Sequence, residues 1–176
     1  MGDQVAPRSG WASLHWVKRW LYRGDRAGAT ARLLNRFWGR RYASGGRLAR
    51  ARDVQLEVLG RRSGRPVAFP IVLADLDGHW YAVSMLGENA QWVRNVRADG
   101  GRAVIRHGVA RQVRLVEIPV EGRAAILKRY VEVAPGARPH VAVDRREPVA
   151  AFVSIAATHP VFRVDALDET PRGSHL

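Results

Sequence analysis

From residue 53 onward, apolar and polar side chains alternate with a period of two. Val54, Leu56 and Val58 interleave with Gln55 and Glu57, so one face of a strand is buried and the other is wet. A second strand is predicted over 67–74. Pro70 within it implies a sheet edge or a bulge, because proline lacks the N–H that an interior ladder uses. Asp75-Leu76-Asp77-Gly78 predicts a hairpin turn, and Trp80 to Met85 a third strand. A helix follows over 91–98, then strands at 103–107 and 111–118 joined through Gly108. Residues 121–133 return apolar groups at helical spacing (Ala124, Leu127, Val131). A short helix over 148–157 and a last strand over 161–164 complete the pattern. Short antiparallel strands with helices between them predict a mostly β, α+β domain, a small barrel of about six to seven strands with peripheral helices.

The first part of the chain has a different rhythm. Trp11, Leu14, Val17, Trp20 and Leu21 recur every three or four residues, as on one face of a helix. After a break near Gly24, a second helix carries Ala31, Leu34, Phe37 and Trp38 on one face and Arg32, Arg36, Arg40 and Arg41 on the other; Ser44-Gly45-Gly46 ends it. The chain thus divides into a basic amphipathic arm (1–46), a barrel domain (47–170) and a tail (171–176) to which no function is assigned. Two readings of the arm stay open. It packs on the sheet as ordinary helices, or it lies on an anionic membrane surface with Trp at the interface and Arg toward the headgroups.

Charge sharpens this division. The 176 residues hold 29 Lys and Arg against 16 Asp and Glu, a net of +13. Residues 1–65 contribute 15 basic and 4 acidic side chains (+11), and residues 66–176 contribute 14 and 12 (+2). Part of the excess reflects codon bias, since only Lys18 and Lys128 are lysine. The clustering still points to an anionic partner. Cysteine is absent, which excludes disulfides, thiolate metal sites and cysteine nucleophiles. Neither a secretory leader nor an apolar run long enough to span a bilayer is evident. The expected location is the cytoplasm, with a peripheral seat on the inner membrane face if the arm binds lipid.

Phosphate-binding loops, dinucleotide fingerprints and nucleophile elbows are missing, and the six histidines show no metal-ligand spacing, so no metal is expected. One turn stands apart. Gly60-Arg61-Arg62-Ser63-Gly64-Arg65 follows a strand. Its glycines let the backbone bend closely around a ligand, and its arginines and hydroxyl offer forked donors. The alternatives are an anion-binding hairpin and a merely basic surface turn.

Leu56–Pro70 resembles the Gly-Arg-Lys-Ser-Gly segment of the deazaflavin (F420)-dependent nitroreductase family. Ser84-Met85-Leu86-Gly87 followed by Trp92-Val93-Arg94-Asn95 is similar to that family's next block, and Pro160–Val164 to its closing strand. The resemblance implies a split β-barrel that uses coenzyme F420, with flavin mononucleotide as the alternative. Arg61, Arg62 and Ser63 would then hold the coenzyme's phosphate and glutamate tail, with Gly64 and Pro70 in the same binding segment. Ser84 and Gly87 would bring backbone against the deazaflavin ring, and Trp92 and Asn95 would border the groove. For Trp92 the alternative is plain core packing, and for Asn95 a hydrogen bond within the fold.

Some positions depart from the family. Arg62 stands where lysine is usual, Val93-Arg94 replaces Tyr-His, and the stretch Tyr130–His140 lacks the tyrosines associated with nitroreduction. Coenzyme binding is therefore better supported than nitroreductase activity. The expected function is hydride delivery from reduced F420 to an electron-poor small molecule such as a quinone, enone or nitro compound, in a chain that the resemblance implies forms a homodimer. The alternative is a non-catalytic barrel that holds F420, a flavin, heme or a fatty acid. Nucleic acid is disfavoured, since no recognition motif is present.

Overall fold

The alternating positions do line one interior. A computed structural model describes residues 51–167; the expected arm and the tail lie outside the described residues. Six antiparallel strands close into a barrel in the order β1 (Asp53–Leu59), β2 (Pro66–Leu76), β3 (His79–Val83), β6 (Val161–Ala166), β5 (Val109–Glu117) and β4 (Arg102–His107). Val54, Leu56, Leu73, Val113, Leu115 and Phe162 fill the interior. Between β3 and β4, helix α1 (Gln91–Ala98) adds Val93 and Val96 to the same cluster. The opposite face of β2 and β3 is covered by α2 (Arg123–Val133) and the short α3 (Val153–Ala156). There Leu127, Tyr130 and Ile155 pack on Ala74, Tyr81 and Val83. Ala82 faces inward while Tyr81 and Val83 face outward, as the two-residue period requires. No helix among the described residues is long and apolar enough to cross a membrane.

The barrel is closed, but a seam is left beside β2, where part of the strand is an edge. Residues 66–72 pair with β1, but β3 joins β2 only over Leu73–Leu76. Pro70 sits in this one-sided stretch. The β1–β2 register runs from Asp53↔Val72 to Leu59↔Pro66 without an extra residue, so the proline marks an edge and not a bulge. Amides at Leu73 and Gly60 donate across the ladder, to Arg52 and Arg65 at 2.9 Å. Alternation from those positions directs the Pro70 nitrogen away from β1, where no donor is required. The third strand ends at Val83, two residues earlier than the pattern predicts. Ser84 donates its backbone N–H to the Pro160 carbonyl (2.9 Å) and its hydroxyl to the Gly87 carbonyl (2.8 Å), which turns the chain.

Charged groups tie the outer layer down. Arg123 is only 5% exposed, yet each guanidinium nitrogen has a partner. Nε donates to the Ile118 carbonyl (2.8 Å), one terminal nitrogen to the Ala156 carbonyl (3.0 Å) and the other to Glu117 (3.0 Å). A buried guanidinium is tolerated only when it is matched in this way. On the other side of α2, Arg129 grips Asp75 through both carboxylate oxygens, at 3.1 and 3.0 Å, and Arg52 adds a contact at 3.3 Å.

These pairs set the acid response. Hydrogen bonding from Arg97 holds the Glu117 carboxyl below its ordinary value, and Arg129 does the same for Asp75. A carboxyl lowered in the folded state contributes stability that is complete above its unfolded value and is lost as pH falls through the folded one. The melting temperature should therefore stay level from neutral pH to about pH 5. It should then decline below the ordinary carboxyl values of 4.5 and 3.8. Thermal scans at pH 7, 5, 4 and 3 check this, and a decline already complete between pH 7 and 5 would contradict it.

Candidate functional site

The Gly60–Arg65 turn is a closed hairpin, not a loose loop. Gly60 donates to the Arg65 carbonyl (2.9 Å), and the Gly60 carbonyl accepts from Ser63 (3.2 Å) and Gly64 (2.8 Å). Gly64 has φ +60°, a left-handed conformation that glycine adopts without cost. The Ser63 hydroxyl oxygen accepts from the Arg65 amide at 3.3 Å, which leaves its own hydrogen available to a ligand.

The two arginines at the start of the turn have different duties. Arg61 is fastened to α1: its guanidinium donates to Gln91 Oε1 (2.9 Å) and Asn95 Oδ1 (3.0 Å), and its backbone N–H also reaches Asn95 Oδ1 (3.3 Å). Arg61 therefore takes part in the fold, tying the turn to the helix. Asn95 lies 6% exposed on the inner side of the helix, where an amide oxygen needs such donors. Arg62 and Arg65 are exposed, and among the described residues their guanidinium groups have no acidic partner.

The remaining predicted residues gather round α1, with one exception. Trp92 is half-buried and meets Phe162 and Phe69, with ring centroids 5.4 and 6.1 Å apart. One side of the ring packs, as the core-packing alternative expects, and part of it stays open. Ser84 is 1% exposed, so its hydroxyl shapes the turn and does not reach solvent. Gly87 has φ +79°, and a Cβ there would stand 3.0 Å from the Thr158 carbonyl. Any side chain would be strained and crowded against that wall. Between them Leu86 is 46% exposed. Pro70 lies on the opposite face of β2 from Phe69 and is not drawn into this group.

Sequence reasoning missed Gln91 and Phe69, which complete the contacts of Arg61 and Trp92. Gln91 stands four residues before Asn95, so a shared helical face was the available signal. It also missed the cluster below α1. Arg97 binds Glu117 (2.6 and 2.8 Å) and Glu88 (2.7 and 3.3 Å). Those contacts join distant segments, and no local pattern announces them.

A six-stranded antiparallel barrel, split at one seam and carrying a basic hairpin beside a helix, defines the split β-barrel class of coenzyme-binding domains. The chain belongs to the F420H2-dependent quinone reductase family, whose sequence model matches residues 30–154. That membership makes it an F420-dependent oxidoreductase. Among solved structures it is similar to one described as a domain-swapped dimer (19% identity, TM-score 0.49, covering 88% of this chain and 100% of that one). It is also similar to an F420H2-dependent reductase, FDR-A (20% identity, TM-score 0.45, 65% and 95% covered). A third is a FAD-binding protein from Mesorhizobium loti (19% identity, TM-score 0.42, 74% and 88% covered). No curated protein matches the chain.

The fastening of the hairpin to α1 can be measured without any ligand. Arg61→Ala and Asn95→Ala should each lower the unfolding free energy, and their effects should not add. A coupling of about 1 kcal/mol is expected for this hydrogen-bonded pair. Urea unfolding of the parent, both single variants and the double variant gives the value. Additivity within about 0.3 kcal/mol would show that the pair does not hold the hairpin.

Proposed function

We propose that the chain reduces a quinone-type acceptor with F420H2, and that the hairpin, the 84–87 turn and the open side of Trp92 form the coenzyme site. One observation carries this reading. Arg62 and Arg65 stand exposed on a closed turn as cations without acidic partners among the described residues, on a hairpin that Arg61 pins to α1, the helix carrying Trp92. The donor set suits an anionic chain, because planar guanidiniums match phosphate and carboxylate in paired hydrogen bonds. The neighbouring surface suits a flat apolar ring, with Leu86 exposed and Trp92 backed by two phenylalanines.

When bound, reduced F420 supplies the hydride. The residues of the chain bind, orient and exclude water. Arg62, Arg65 and Ser63 take the tail's negative charges, while Arg61, Gln91 and Asn95 keep those hands at a fixed distance from the helix. The Ser84 hydroxyl, held on the Gly87 carbonyl, keeps the intervening backbone in one shape. Trp92, Phe69 and Leu86 offer a low-polarity wall on which an aromatic acceptor stacks. This arrangement needs no nucleophile from the protein, in keeping with a sequence that has no nucleophile motif.

Arg62→Ala and Arg65→Ala should each weaken F420 binding by roughly tenfold to a hundredfold, the loss expected for about 1.5–3 kcal/mol of hydrogen bonding to a charged group. Affinity should fall as salt rises, and the melting temperature should barely move. Isothermal titration at two ionic strengths, with flavin mononucleotide run in parallel, is the measurement. Parent-like F420 affinity in both variants, or tighter binding of flavin mononucleotide by the parent, would overturn the assignment.

A further inference from the structure

The 84–87 turn is held from below by charge as well as by its own hydrogen bonds. Glu88 directly follows Gly87, and its carboxylate receives Arg97 at 2.7 and 3.3 Å. The same guanidinium binds Glu117, which in turn holds the buried Arg123. Arg123 lies 4.0 Å from Glu88 and also fixes the Ala156 carbonyl, two residues before the Thr158 carbonyl that backs Gly87. Two carboxylates and two guanidiniums therefore join the turn, the last turn of α1, the end of β5, the start of α2 and the wall behind Gly87. Only Glu88 among the four belongs to the segment adjoining the turn. Its loss leaves Arg123 matched, since Glu117 and two carbonyls remain.

We infer that Glu88 is a positioning residue, the link through which the Arg97–Glu117–Arg123 network holds residues 84–87 in the shape that receives the deazaflavin ring. The inference rests on the proposed coenzyme site and adds to it the group that orders its ring end. A merely stabilising ion pair predicts a lower melting temperature with unchanged affinity in the folded protein. A positioning role predicts weaker ring binding at temperatures where the fold is intact, because a turn with several shapes must be ordered by the ligand.

The test uses two probes, whole F420 and its tail-less deazaflavin riboside, titrated by absorbance and fluorescence without turnover. Glu88→Gln should weaken both by the same factor, on the order of tenfold, whereas Arg62→Ala should weaken F420 alone. Parent-like affinity of Glu88→Gln for the riboside overturns the inference, whatever happens to F420. If Arg62→Ala and Arg65→Ala both bind F420 like the parent, it is the coenzyme site that fails, and the two failures are read from different variants. Should Glu88→Gln not fold, Glu88→Asp keeps the charge but shortens its reach. Equal affinity of that folded variant and the parent for the riboside counts against the inference in the same way.

Discussion

The carboxamide oxygen of Asn95 is where the barrel and its candidate site are joined. It is almost wholly shielded from water and accepts from both the backbone and the side chain of Arg61. A buried amide oxygen without donors is costly, so the hairpin is drawn to α1 to satisfy it. Once there, the hairpin is tied to the helix, and Arg62 and Arg65 stay exposed on it. Trp92 stands on the same helix, about one turn before Asn95. One polar atom that the fold obliges the chain to pair thus fastens the turn to the helix.

Much of the architecture was legible because burial imposes a simple period. Val54, Leu56 and Val58 could be assigned to one face before any coordinate was known, since a strand with one wet side leaves no other arrangement. The helix over 91–98 was legible for a similar reason, with Val93 and Val96 three residues apart on the inner face. Asp77-Gly78 also behaved as its chemistry requires, with φ of 49° and 77° at the two positions.

The site was legible only in part, and the physical cause is plain. A sequence shows that Arg61, Arg62 and Arg65 are cations, but not which of them is already engaged. Arg61 finds its partners 30 and 34 residues away, and Arg97 finds Glu117 at a separation of 20. Charge summed along a chain treats these groups as alike. Folding divides them into arginines that hold the protein together and arginines that remain available to a ligand. Ser84 illustrates the same limit, for the sequence does not show that the turn absorbs its hydroxyl.

The seam in the barrel has a further consequence. Residues 66–72 of β2 form an edge with no strand on one side among the described residues, and an open edge is a template on which another chain can add a strand. Pro70 sits on that edge with its nitrogen turned outward, where it has no hydrogen to offer. A second strand approaching there would meet a gap in the row of donors and a ring in the path of its backbone. The open edge is thus made a poor seed for sheet extension, and the seam can stay open without inviting aggregation.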